Sequence, residues 1–202
     1  MGHSDSAALR VIDVPQQCEP EPVWFEAPRL CEDRELPGYR YVRGLNPHPR
    51  LDKRGHSYGT PRRVVEMDPE HWSESEDYLF GIDLYHQGYF WESCEVWEAL
   101  HRSVGGDSPP SNLLHALFLN SGAQIRAHRR NARGTRTRSQ AARWRLARIR
   151  AKGFDGPEKR FMGLDIGDLI DQICRHYSPV WESSADEHIH LKGPAPRLLL
   201  ED

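Results

Sequence analysis

Apolar positions along this chain recur at helical rather than strand spacing, and Gly- and Pro-rich breaks separate the segments that carry them. The first segment opens at Asp68-Pro69-Glu70, a capping acid followed by proline at the first helical position. It keeps its period through Trp72, Leu79, Ile82, Tyr85 and His86 as far as Gly88. A second helix runs from Gly88 to Arg102. Stepping about 100° per residue, Phe90, Cys94, Trp97 and His101 fall on one narrow stripe of it. Gly105–Pro110 is a loop, after which a third helix spans about Ser111 to Arg130 with Leu113, Leu114, Leu117, Phe118, Ser121 and Ile125 on its apolar arc. Asn131–Gly134 makes a turn. A fourth helix, Thr135 to Lys152, draws its inner face from Ala141, Ala142, Trp144, Leu146, Ala147 and Ile149, and Gly153 ends it. Asp165 caps a fifth, whose Ile166, Leu169, Ile170, Ile173, Cys174 and Tyr177 face inward before Pro179.

These elements predict an all-α fold: a compact bundle of about five helices with an extended N-terminal arm and a partly extended C-terminal tail. Residues 1–35, rich in Pro, Glu and Gln, read as a poorly ordered lead-in. Residues 36–66 are too punctuated for a helix and read as an arm wrapped over the body, bringing His48 and His56 with it. The bundle occupies 67–181 and the tail 182–202. With 202 residues and a mean hydropathy of −0.74, the chain holds no apolar run near the length of a membrane span. Its start lacks the basic and apolar stretches of a secretory signal. Four scattered cysteines fit reduced thiols, so a cytoplasmic protein with no membrane partner is expected.

The chemistry concentrates on the second helix. Glu98 sits beside the stripe, about 40° from Cys94, between large aromatics; desolvation there would raise its pKa. Glu92, Glu95 and, on the preceding helix, Asp83 add further carboxylates. On the third helix Asn120, Gln124 and His128 share one edge at i, i+4, i+8, and amides beside an apolar arc need partners. Glu95 and Glu98 are the expected ones. The cluster reads either as a polar clamp between helices or as a pocket for a small ligand. A divalent metal, and with it the alternative of a metal-dependent hydrolase, enters only through Glu95, Glu98 and His101, whose Glu-x-x-His spacing occurs here once. No phosphate loop, G-x-S-x-G, H-E-x-x-H or paired C-x-x-C is present, which argues against an enzyme of a familiar kind.

Tyr89-Phe-Trp-Glu-Ser-Cys-Glu-Val-Trp-Glu98 resembles the F-x-E-x-H-E-x-x-E-x-x-W signature of the domain of unknown function 309 family, with support from Tyr78–Tyr85 and from Asn120 to Asn131. The likeness covers roughly residues 75–175. It implies a small all-helical protein without an established reaction. Its acidic positions fall on Glu92, Glu95 and Glu98, while its histidine position holds Cys94 and its tryptophan position His101.

Charge is unevenly spread. Ser108 to Phe154 contains no Asp or Glu, yet Arg126, Arg129, Arg130, Arg133, Arg136, Arg138, Arg143, Arg145, Arg148, Arg150 and Lys152 crowd its second half. A basic helix beside acidic ones accounts for this, within one chain or between copies in a homo-oligomer. A nucleic-acid or anion-binding face through Arg126, Arg129, Arg130, Arg133 and Arg143 is the alternative.

Overall fold

The computed structural model of the chain describes residues 28–62, 64–183 and 191–201. Among them the only regular elements are helical: α1 (Glu76–His86), α2 (Phe90–Val104), α3 (Pro109–His128), α4 (Ala132–Arg150) and α5 (Ile166–Glu182), with short 3₁₀ turns at Pro69–Glu74 and Pro157–Lys159. Each helix packs on the next in sequence, α1 on α2 through to α4 on α5. Tyr78, Ile82, Trp97, Leu100, Leu113, Leu117, Leu146, Ile149, Ile166, Ile173 and Tyr177 form the core. No helix among the described residues is long and apolar enough to cross a membrane.

Local chemistry explains where the helices begin and end, and where the sequence expectation shifts. The predicted first helix is divided at Ser75, whose extended backbone (ψ 96°) and hydroxyl, 3.3 Å from the Tyr78 amide, start a new helix after the 3₁₀ turn. α4 begins at Ala132 rather than Thr135 because the Asn131 side chain accepts from the Gly134 amide at 2.7 Å. Just before it, Arg130 takes the left-handed conformation (φ 51°). The Asn131 and Arg130 amides close back on the Arg126 and Ala127 carbonyls, the bond pattern that usually ends a helix on glycine. α5 continues through Pro179 instead of stopping before it. The Arg175 carbonyl, four residues earlier, accepts from the Ser178 hydroxyl at 3.2 Å, and Val180 is buried beyond the proline.

Two faces turn differently from expectation. α2 buries Ser93, Trp97 and Leu100, so the stripe of Phe90, Cys94 and His101 lies at the edge of the buried face. On α4 the inner line is Ala142, Leu146 and Ile149; Trp144, two positions and about 200° from Leu146, is 54% exposed on the solvent side.

Arm and tail both lie on the body. Residues 28–35 belong to the arm rather than to a loose lead-in, for the Leu30 and Cys31 amides dock on Asp83; the rest of that lead-in, 1–27, is outside the described residues. The tail docks through Lys192, paired to the His176 carbonyl, Leu198, and Glu201, whose amide meets the Gly163 carbonyl.

Candidate functional site

Acidic side chains of α1 and α2 meet the arm one after another. Asp83 is buried and accepts from the Leu30 and Cys31 amides at 2.8 and 2.9 Å, with Arg29 at 3.7 Å. Burial, then the Asp83 and Glu76 charges, pushes the Cys31 thiol up. Arg34 pairs with Asp77 at 2.8 Å and lies over the Phe80 ring. Glu95 pairs with Arg50 at 2.9 Å. Glu98 is not desolvated: its side chain is 34% exposed and forms a surface pair with Arg102 one turn on, because α2 turns that edge outward. On α2 the buried acid is Glu92, at 5% exposure.

Glu92 sits in the first turn of α2, where the helix N-terminus favours negative charge. Its Oε1 accepts from the Tyr41 amide at 3.0 Å and faces His56 Nε2 at 3.1 Å; its Oε2 is buried without a partner among the described residues. Desolvation raises its pKa, opposed by its own backbone amide and then by the bonds from His56 and Tyr41. A proton on His56 Nε2 facing this carboxylate leaves Nδ1 as an acceptor, 2.8 Å from Ser57 Oγ. The Tyr39 ring packs on His56 with centroids 4.7 Å apart. His48 has another task. Its Nδ1 accepts from the Arg50 and Leu51 amides, and its ring sits against Tyr41 and Trp91.

The loop carrying His56 is tight. A Cβ on Gly55 would lie 2.3 Å from the Pro49 carbonyl oxygen and 2.4 Å from that of His48. Gly55→Ala is therefore expected to cost about 1–3 kcal/mol, as overpacking does, and to lift the arm. Amide exchange at Tyr41 measures it; unchanged protection in the variant would refute the close approach.

Asn120 and Gln124 do not meet Glu95 or Glu98. Asn120 donates to Tyr85 OH at 2.8 Å and accepts from Tyr177 OH at 3.0 Å. Gln124 donates to Tyr177 OH and to His176 Nε2, each at 3.0 Å. The network joins α1, α3 and α5, and its far end reaches the tail through His176 Nδ1 and the Lys192 carbonyl at 3.2 Å. His128, expected on the same edge, is exposed and only edges onto Phe90. Cys94 rests on the Phe118 carbonyl at 3.5 Å, and burial raises its pKa, keeping it a thiol. His101 bonds Ser111 at 3.1 Å and stacks against His115. Glu95, Glu98 and His101 thus point to separate partners. Among the described residues no three His, Cys, Asp or Glu side chains assemble a metal set.

α4 carries seven arginines and no acid. Five are engaged. Arg136 bonds the Val180 carbonyl, Arg138 lies over Phe118, Arg143 lies over Trp181, and Arg145 and Arg148 both pair with Asp107 in the α2–α3 loop. The same two guanidinium groups lie over the Trp144 ring at 5.2 and 4.9 Å. Arg133, Arg143 and Arg150 stay exposed, as do Arg129 and Arg130 at the α3–α4 corner, while Arg126 is half-buried.

Neither a family model, nor a curated protein, nor a solved structure matches this chain. The chain's own geometry therefore carries the functional argument. Sequence reasoning had overlooked Ser57, Tyr85, Tyr177 and His176 as partners, as well as His86. The Gly-His-Ser run in the arm was a usable signal for Ser57. His176 was legible as a polar residue three positions after inward-facing Ile173.

Proposed function

We propose that the protein is a binding module for single-stranded nucleic acid, and that α4 carries the recognition surface. The observation behind this reading is Trp144, a large aromatic on the solvent side of a helix with seven arginines and no acid. An exposed tryptophan there contributes nothing to the core. With two guanidinium groups within about 6 Å of its ring it is a cationic stacking platform, and every base has a face to offer it. Arg133 and Arg150, with Arg129 and Arg130 at the α3–α4 corner, are exposed to meet phosphates. An anionic lipid surface is the less suitable partner, because the solvent side of α4 offers one aromatic rather than an apolar stripe.

The rest of the polar cluster is read as structural: Asp83 and Glu95 hold the arm, and the Asn120 and Gln124 amides lock three helices. Membership of the domain of unknown function 309 family is proposed as well, supported by the all-helical body and by Glu92, Glu95 and Glu98 on one helix.

Anisotropy of a labelled oligothymidylate, titrated with the full chain at several salt concentrations, tests the reading. With about four phosphate contacts, affinity is expected to fall on the order of 50-fold between 50 and 200 mM salt. Trp144→Ala removes stacking of about 1–3 kcal/mol, a loss of roughly 5- to 150-fold. A flat salt profile, or an unchanged affinity in Trp144→Ala, sinks the reading.

A further inference from the structure

Glu92 remains unexplained as a structural anchor. To accept from the Tyr41 amide and face His56, a glutamine would serve equally well and would bury no charge. The chain instead keeps an acid that is 5% exposed, with one oxygen unpartnered among the described residues. Buried unsatisfied polar atoms are uncommon and call for a reason. The reason lies on the other side of the imidazole. Facing Glu92 fixes the His56 proton on Nε2 and turns the Nδ1 lone pair onto the Ser57 hydroxyl at 2.8 Å. Carboxylate, imidazole and hydroxyl then stand in one line: a nucleophile within reach of a base, which a third group orients. The two ring nitrogens are interchanged relative to the usual arrangement, since Ser57 follows His56 directly in the chain.

We propose that Ser57 is an activated nucleophile, acylated by ester-type donors, with His56 as its general base and Glu92 as the positioning residue. In the step, the Ser57 Oγ–acyl bond forms and the donor's acyl–oxygen bond breaks. His56 Nδ1 takes the hydroxyl proton and returns it to the departing alkoxide. Water attacking the acyl-serine, with His56 again as base, releases the acid and restores Ser57. Access is available, for Ser57 is only partly buried and Tyr58 beside it is exposed. The amides of Ser57 and Tyr58 are committed to the Pro49 and Gly55 carbonyls, both at 3.0 Å, so they do not wait for an oxyanion. Slow acylation, rather than rapid turnover, is the expected behaviour.

This inference is independent of the α4 reading, which uses neither the arm nor α2. The full chain is incubated with a fluorophosphonate, a probe for activated serines, and followed by intact mass and peptide mapping. One label is expected, on Ser57, absent in Ser57→Ala. Losing a general base removes a factor of about 10²–10⁴, so His56→Gln, which keeps an amide donor for Glu92, should cut the labelling rate at least 100-fold. Glu92→Gln, which keeps an acceptor for the Tyr41 amide, should slow labelling at least tenfold. The proposal is overturned by no labelling, by a label on Tyr58 or another side chain, or by His56→Gln labelling at the native rate. His56 and Ser57 lie on the arm, outside the core, so their variants decide the matter even where Glu92→Gln fails to fold.

Discussion

Lowering the pH from 7 to 4.5 is expected to strip the protein of most of its stability, with the C-terminal tail leaving first. Two buried histidines cause this. His86 Nε2 accepts from the Leu198 amide at 3.1 Å, and His176 Nε2 faces the Gln124 amide nitrogen while its Nδ1 meets the Lys192 carbonyl. Both roles require a neutral ring. Burial pushes each down to about 4; Asp83 partly opposes this at His86 while Arg197 reinforces it, and the Lys192, Gly193 and Pro194 backbone opposes it at His176. Depressed folded values mean that the unfolded chain takes up protons first. The stability they contribute is whole above about 6.5, falls as pH drops from there to about 4, and changes no further below. Each histidine accounts for about 1.4 kcal/mol per pH unit in that window. Two units therefore remove roughly 5 kcal/mol, comparable to the total of a marginally stable domain. Glu92 acts in the opposite sense: its raised pKa lets the folded state bind a proton more readily, and it returns part of the loss at the acid end. Urea midpoints by circular dichroism at pH 7, 6, 5 and 4.5 check the slope. A midpoint that stays level from 7 to 5 contradicts the neutral-histidine account.

The same histidines show what the linear sequence could and could not disclose. Helical period revealed every major helix, because Leu146 and Ile149 or Ile170 and Ile173 declare a buried line without knowledge of what covers it. Period alone could not settle rotation: on α2 the buried line runs through Ser93, Trp97 and Leu100, one edge away from the aromatic stripe, because the arm covers Glu92 and its neighbours. On α4, an inner face that includes Trp144 is incompatible with its angle of about 200° from Leu146, which turns it to solvent. Polar residues were legible as needing partners, and Asn120 and Gln124 do need them. Their partners come from α1 and α5, fixed only when distant segments pack, so the nearer carboxylates were the wrong guess. The pairing of Glu92 with His56 spans 36 residues across a Pro- and Gly-rich arm and leaves no periodic trace.

Asn120→Ala is expected to be the most damaging single substitution within the polar network. Its amide bridges two phenols, donating to Tyr85 and accepting from Tyr177, both of which are essentially excluded from solvent. Removing it leaves hydroxyls of α1 and α5 without their shared partner, at about 1–3 kcal/mol for each unpaired group. A small cavity adds to this. A loss of about 3–5 kcal/mol follows, and for a chain of this size the melting temperature should drop by roughly 6–20 °C. The decisive comparison is with the apolar replacement of the whole unit. Converting Asn120 to leucine together with Tyr85→Phe and Tyr177→Phe removes every hydroxyl that would be stranded, and Gln124, which loses Tyr177, keeps His176 as a partner. The triple variant should therefore be more stable than Asn120→Ala, because replacing both partners of a buried bond can be close to neutral. Thermal melts of the two proteins in one buffer measure the difference. If Asn120→Ala costs less than about 1 kcal/mol, water has replaced the amide and the three helices are held by apolar packing alone.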